Sequence, residues 1–259
     1  MKIAIVTGAS SGIGKEFVKQ LPHFYRTLDE IWVIARRRDR LETLKRESCL
    51  PLRIFEGDLL EEHFYTNLEN FLEAEKPELR MLVNAAGFGK KGTVSEIAEK
   101  EPSIQTKMVD LNCRALTKIT LACLPYLSKG SRIINVASAA AFAPQPSFAV
   151  YAATKSYVLS FSNGLGAELE GQGIRVTAVC PGPVDTEFFT ISGKLTNRWK
   201  NAAMARPENV VKKALLDSRK GKTVSVYSIP IKAAQMGAKL FPHRLIMKAG
   251  ICSEQLRKQ

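Results

Sequence analysis

Tyr151 and Lys155 stand four residues apart in a stretch, Tyr151–Glu170, whose pattern predicts a helix. On a helix that interval puts both side chains on one face. A phenol ionises near pH ~10, and a nearby ammonium stabilises the phenolate and lowers that value. The pair is therefore expected to give a proton to a carbonyl oxygen, or take one from an alcohol, near neutrality. A second candidate lies near the N-terminus. The predicted strand Ile3–Thr7 runs into Thr7-Gly8-Ala9-Ser10-Ser11-Gly12-Ile13-Gly14, and a helical pattern, Lys15–Phe24, follows. Glycines in such a turn let the backbone approach a pyrophosphate, and the new helix offers unpaired N–H groups and the positive end of its dipole to that anion. Gly14 permits close packing of helix on strand. Y-x-x-x-K alone is common on helices; a glycine turn that closes the first strand and opens a helix is far more specific.

The elements that must position these groups alternate. Predicted strands are Ile3–Thr7, Ile31–Ala35, Leu52–Phe55, Met81–Asn84, Arg132–Val136, Arg175–Val179 and Thr223–Tyr227. Helix-length segments between them include Lys15–Phe24, Leu60–Glu73, Ile104–Leu127 and Tyr151–Glu170. Alternation of this kind implies right-handed βαβ units and a parallel sheet covered on both faces. The expectation is an α/β chain: a Rossmann-like, doubly wound parallel sheet of about seven strands in a single domain, residues 1–228, followed by a basic extension, residues 229–259.

Composition sets the outer limits. The 259 residues are 45% hydrophobic and 24% charged, which excludes collagen-like, disordered and coiled-coil chains. Thirty-eight Lys and Arg against 25 Asp and Glu leave +13, a balance suited to a phosphorylated cofactor, an acidic substrate, an anionic membrane surface or nucleic acid. Five scattered cysteines without C-x-x-C spacing read as reduced, buried thiols, and three distant histidines give no metal site. Neither a secretion signal nor an apolar run of the ~18 residues a membrane span needs is evident, so a cytoplasmic location is expected.

The second strand is followed by Arg36-Arg37-Arg38. In a dinucleotide fold the group after this strand faces the adenosine ribose: an acid there binds the 2′-hydroxyl of NAD, an arginine the 2′-phosphate of NADP. Arg36, with Arg37 beside it, points to NADP(H). Asp39 comes three residues late and is assigned to capping the next helix or pairing with an arginine.

The T-G-x-x-x-G-x-G loop at Thr7–Gly14, with Ser138 thirteen residues before Y-x-x-x-K, resembles the short-chain dehydrogenase/reductase family over nearly the whole chain to Tyr227. The resemblance implies a catalytic set of Asn112, Ser138, Tyr151 and Lys155. Ser138 would hold the substrate oxygen, Tyr151 would serve as acid or base, and Lys155 would also bind the nicotinamide ribose. Asn112 would hold a water connecting Lys155 to solvent. It further implies that Gly8, Ser10, Ser11, Gly12, Ile13 and Gly14 cradle the cofactor and that Asp58 and Leu59 lie at the adenine. Asn84, Ala85 and Gly87, in an N-A-A-G turn, would steady the sheet and line the ribose site. Pro181, Gly182, Val184 and Thr186 would hold the nicotinamide. Many NADP-preferring relatives carry a basic residue within the glycine loop; Ser11 stands there here. The implied reaction is hydride transfer between a nicotinamide and a carbonyl or secondary alcohol.

Substrate preference is expected from Glu187 to Ala205, where Phe188, Phe189, Ile191, Leu195 and Trp199 suit either a lid over a lipophilic molecule or a packed helix pair. Phe88, Phe142, Ala143 and Pro144 are expected at the same mouth. These residues favour a hydroxysteroid or another bulky hydrophobic carbonyl; a 3-oxoacyl-thioester reductase is the rival. A non-catalytic NADP-binding regulator is the alternative of another class. Nucleic acid is disfavoured, because no basic-aromatic platform is present. The extension, unlike the short glycine-rich end of many relatives, resembles that of members acting on steroids and long-chain lipids. It could cover the mouth, touch a membrane or form a subunit contact; a packed surface helix is favoured over binding to anionic lipid, and a homodimer is expected, with a homotetramer as the alternative.

Overall fold

The computed structural model describes residues 1–188, 204–242, 244, 245 and 247. Strands β1 (Lys2–Thr7), β2 (Glu30–Ala35), β3 (Leu52–Glu56), β4 (Glu78–Asn84), β5 (Leu127–Val136), β6 (Arg175–Val179) and β7 (Val224–Ser225) form one sheet in the order β3-β2-β1-β4-β5-β6-β7. Every pairing is parallel. The order reverses between β1 and β4, so their carboxyl ends open a crevice where α/β sheets bind ligands.

Side chains alternate across each strand and select the helices that cover it. Ala4 and Val6 of β1 and Ile31 and Val33 of β2 face one layer, built from Phe17, Val18 and Leu21 of α1 (Gly12–Phe24), Leu41 and Leu44 of α2 (Arg38–Glu47), and a later helix carrying Val210, Val211, Ala214 and Leu215. Ile3, Ile5, Trp32 and Ile34 face the other, with Phe64, Leu68 and Leu72 of α3 (Glu62–Glu75) and residues of two further helices. The strands are hydrophobic on both faces because both faces are covered.

Between β4 and β5 run α4 (Val94–Lys100), α5 (Ile104–Val109), a π-helical turn (Asp110–Ala115) and α6 (Leu116–Cys123). The sequence predicts one helix through Leu127. Instead the wider turn interrupts it, a 3-10 turn containing Pro125 ends it, and Leu127 already belongs to β5. Proline removes a donor and stops the helix. β5 thus begins five residues before the predicted Arg132, through an irregular stretch where Gly130 takes a φ of 89°. The strand predicted at Thr223–Tyr227 is confined to two residues, Val224–Ser225.

After β5 come α7 (Ala149–Leu169), β6, α8 (Pro207–Arg219), β7 and α9 (Ile229–Leu240). Asp217 of α8 is buried and accepts from Lys213, Lys222 and Ser225, which ties the helix to the last strand. Its carboxyl is held below the usual range by those donors acting against burial. Cys123 and Cys180 are buried, whereas Cys49 is exposed.

The glycine turn joins β1 to α1 with no room for a side chain at Gly8 or Gly14. A Cβ on Gly8, whose φ is 67°, would lie 2.8 Å from the Ala86 nitrogen; one on Gly14 would collide with the Gly8 carbonyl oxygen. Both obstacles are backbone and cannot swing aside. Gly14→Ala is expected to destabilise the protein by about 1–3 kcal/mol through overpacking, read as a lower urea midpoint with an unchanged m-value.

Candidate active site

The carboxyl ends of β1 and β4 are stitched together by one hydroxyl. Thr7 Oγ1 accepts from the Ala85 and Ala86 N–H groups at 3.1 and 3.2 Å. Asn84, at the end of β4, is buried and donates to Thr120 Oγ1 and Asn135 Oδ1 at 3.0 and 2.9 Å, which fixes β4 to α6 and β5. These bonds tie the N-A-A-G turn to β1, β5 and α6. Gly87 follows because a Cβ there would meet Asn112 Oδ1 at 2.8 Å.

Asn112 lies in the π-helical turn, and such single wide turns recur at functional sites. Its Oδ1 accepts from the Phe88 N–H at 3.0 Å, and its Nδ2 donates to the Phe88 carbonyl at 2.9 Å and to Thr154 Oγ1 at 3.0 Å. Both amide hydrogens are used, and one Oδ1 lone pair is left for a further donor. Thr154 is a linking residue that spacing alone does not single out; its hydroxyl donates on to the Tyr151 carbonyl at 2.8 Å.

Tyr151, Thr154 and Lys155 are all buried on α7. The Lys155 ammonium lies 5.7 Å from the Tyr151 ring centroid and donates to the Val136 carbonyl, at the end of β5, at 2.8 Å. Ser138, two residues later, is half-buried; its hydroxyl accepts from the Ala140 N–H at 3.1 Å. Helix face and strand end thus bring Ser138, Tyr151 and Lys155 together, with Asn112 one link away.

The electrostatics correct one expectation. The spacing predicts a phenol lowered by its ammonium. In the structure, burial pushes the Tyr151 phenol up to about 12, with the Ser138 hydroxyl pulling back. Burial likewise pushes Lys155 down to about 8. Desolvation penalises both charged forms and is the largest cause of each shift. Cys113 and Cys180 are raised to about 11 and about 12 by burial, so both stay neutral beside the amine.

The phenol is wrapped in rings. Phe148 stacks on Tyr151 with centroids 4.3 Å apart, and Phe188 tilts against it at 5.5 Å. Gly89 admits all three: a Cβ there would lie 2.7–2.9 Å from each ring. Phe88 packs on the same cluster. Phe142, expected there, packs instead against the cluster that holds Ala137, Cys180 and Val226. Phe148 was not foreseen at this place. Phe189, Ile191, Leu195 and Trp199 lie outside the described residues.

On the nucleotide side, Ser11 occupies the N-cap of α1 but makes no side-chain bond to the helix. Its hydroxyl accepts from Arg37 Nη2 at 2.9 Å, and Ser10 accepts from Arg37 Nε and Nη2 at 3.3 and 3.1 Å. Glycine backbone, uncapped helix N–H groups and a guanidinium form a donor set that fits a phosphorylated dinucleotide. Arg36 is largely exposed and faces Asp58 at 3.6 Å; Asp58 also accepts from the Leu60 N–H at 3.0 Å. Leu59 points into the core, and Ile13 packs against the opposite layer. Asp39 lies in the first turn of α2 beyond Arg37, its N-cap, where a carboxylate suits the helix dipole. A residue missed in sequence is Glu187, which accepts from Arg37 Nη1 at 2.9 Å and from Arg40, 150 and 147 positions away in the chain.

The segment after β6 sits between the two halves of the site. The Pro181 carbonyl accepts from the Ala139 N–H at 2.8 Å, and Gly182 packs under Ile231. A parallel bridge pairs Val184 with Ala205, and Thr186 lies against the glycine turn, 3.2 Å from where a Gly12 Cβ would be.

A family model described as short chain dehydrogenase matches residues 2–194. An uncharacterized oxidoreductase of Staphylococcus epidermidis is 33% identical over 190 residues, covering 71% of this chain and 79% of its own. The NADP-dependent 3-hydroxy acid dehydrogenase of Escherichia coli is 32% identical over 216 residues, 80% of this chain and 85% of that one. A solved short-chain dehydrogenase from Sphingobium yanoikuyae, in complex with NADPH, superposes with a TM-score of 0.75 at 26% identity, over 92% and 94% of the two chains. The fold agrees with these likenesses, and this chain belongs to the short-chain dehydrogenase family, as an oxidoreductase that acts on CH–OH groups with a nicotinamide cofactor.

Proposed function

We propose that the chain is an NADP(H)-dependent oxidoreductase that interconverts a bulky hydrophobic ketone and its secondary alcohol. The observation that carries this is the buried Tyr151 on the same helix face as Lys155, whose amine lies 5.7 Å from its ring centroid, enclosed by Phe148 and Phe188. A bound reduced nicotinamide supplies the hydride. Ser138 and Tyr151 hold the carbonyl oxygen, and Tyr151 gives it a proton as charge develops. Lys155 stabilises the phenolate left behind, and the free Oδ1 lone pair of Asn112 anchors a water for proton return. A hydroxysteroid is one member of this substrate class. A 3-oxoacyl thioester is a second reading, favoured by the likeness to a 3-hydroxy acid dehydrogenase. A panel of ketosteroids, acyl thioesters and simple ketones with NADPH, followed by loss of the reduced-nicotinamide absorbance, separates the two; the bulky-ketone reading fails if only the thioesters turn over.

Preference for NADP over NAD rests on Arg37 and Arg36. Arg37 already grips the Ser10 and Ser11 hydroxyls and stands ready to bind a 2′-phosphate in place of Glu187. A charge-assisted hydrogen bond contributes about 1.5–3 kcal/mol, so Arg37→Ala should lower kcat/KM with NADPH about tenfold to hundredfold while leaving NADH nearly unaffected. Equal losses with both cofactors would contradict the assignment.

Removing the acid tests the chemistry directly. Tyr151→Phe keeps the ring packing, so NADPH binding by fluorescence and the melting temperature should persist while turnover falls about 10²–10⁴-fold. A variant as active as the parent ends the Tyr151 role.

The pH dependence follows from the signs. The phenol, raised to about 12, is protonated at neutrality and ready to donate. Lys155, lowered to about 8, is cationic below that pH and loses its charge as pH rises through it. Carbonyl reduction should therefore be level below pH about 8 and decline above it, whereas alcohol oxidation, which needs phenolate, should climb with pH. Reduction that stays level to pH about 10, the range of an ordinary lysine, would show that the Lys155 amine is not lowered.

A further inference from the structure

Helix α9 presents two faces of opposite character. Ile231, Gln235 and Ala238, at i, i+4 and i+7, are partly buried, and Ile231 packs over Gly182 and against the cluster that holds Phe142. The opposite stripe, at i, i+4, i+7 and i+11, is Ile229, Ala233, Met236 and Leu240. Ile229 is 80% exposed, Met236 63% and Leu240 73%, and Phe241 and Leu245 continue the exposed apolar surface beyond the helix. A stripe of this kind is a docking face rather than a scatter of surface residues.

Charge selects what the face meets. From Ile229 to Ser253 the sequence carries Lys232, Lys239, Arg244 and Lys248 and no Asp or Glu. On the helical wheel Lys232 and Lys239 stand together on one flank of the apolar stripe. Beside them, Lys213, Lys222 and Lys232, with Met236, border a cavity of about 220 Å³, and only Asp217 offsets the three amines. A two-fold contact between copies would set this cationic surface against itself, because such interfaces pair the same patch on both subunits. An anionic sheet of lipid headgroups complements it, with the stripe sunk into the acyl boundary.

We propose that α9 is an interfacial helix that seats the protein on an anionic bilayer surface. No helix among the described residues is long and apolar enough to cross a membrane, so the association lies in the membrane plane. α9 rests against the segment after β6 and the turn that follows Ser138, so seating it turns this side of the site toward the lipid. Delivery of a lipid-dissolved substrate by this route rests on the redox reading above; the docking itself does not.

The test is vesicle flotation of the full chain at low salt. The protein should float with vesicles of phosphatidylcholine mixed with phosphatidylglycerol, stay behind with pure phosphatidylcholine, and detach as salt is raised. Met236→Glu combined with Leu240→Glu should cut the floated fraction about tenfold, and Lys232→Gln with Lys239→Gln should do the same, with melting temperature and NADPH binding unchanged because all four side chains are exposed. Failure of the parent to float with anionic vesicles overturns the proposal. So does equal flotation of the variants, or a parent dimer that the apolar pair of substitutions converts to monomer without any vesicle binding. Turnover of a water-soluble ketone by parent and variants tests the redox reading separately.

Discussion

A single run of hydrogen bonds joins the two ends of the site, and the geometry of both depends on it. It starts at Thr7 Oγ1, which holds the Ala85 and Ala86 N–H groups. It continues through the turn to Phe88, whose backbone grips the Asn112 amide, and on to Thr154 and the Tyr151 carbonyl of α7. The nucleotide cradle at the end of β1 is thereby kept in register with the proton-transferring face of a helix far along the chain. Gly8 and Gly87 are required on this route because the backbone and Asn112 come too close for any Cβ. Reorganisation is avoided at the moment of reaction when the groups that meet the transition state are fixed beforehand.

Burial sets the chemical character of the pair on α7. A lysine taken out of water loses more than one carbonyl acceptor restores, and a phenol in an aromatic wrapping resists ionisation. The site thus stores a proton on Tyr151 and keeps the amine near the threshold of losing its own. That arrangement readies the protein for donating to an oxygen rather than for abstracting from one. The nucleotide side uses the opposite device: Arg37 stays half-exposed, and hydroxyls and a carboxylate occupy its donors. A group held that way can exchange partners at small cost, whereas the Lys155 position cannot.

Much of this was legible in the chain. Strand positions, the sheet type, the glycine turn and the meeting of Ser138, Tyr151 and Lys155 follow from periodicity, spacing and family resemblance, because each is encoded within a few residues. The misses share a cause. Spacing says that an amine lies near a phenol; it does not say how much water both have lost, so the direction of the Tyr151 shift came out reversed. Glu187 meets Arg37 and Arg40 across roughly half the chain, and no local pattern announces such a contact. Phe142 and Phe148 are six residues apart, yet one packs in the cluster of Cys180 and Val226 and the other against the tyrosine. The end of the helix before β5 was marked by Pro125, a signal present but outweighed by the apolar residues around it.

The bridge between Val184 and Ala205 gives the fold a modular joint. Both feet of the intervening stretch are clamped side by side at the same sheet end, one by β6 and the other by the approach to α8. Length or composition can therefore vary beyond Phe188, in residues 189–203, provided that Thr186 keeps its place on the glycine turn, Glu187 on Arg37 and Phe188 on Tyr151. Grafting the corresponding stretch from a relative would be a transplant onto a fixed socket, and a route by which one scaffold can acquire new chemical tastes while its proton-handling machinery stays untouched.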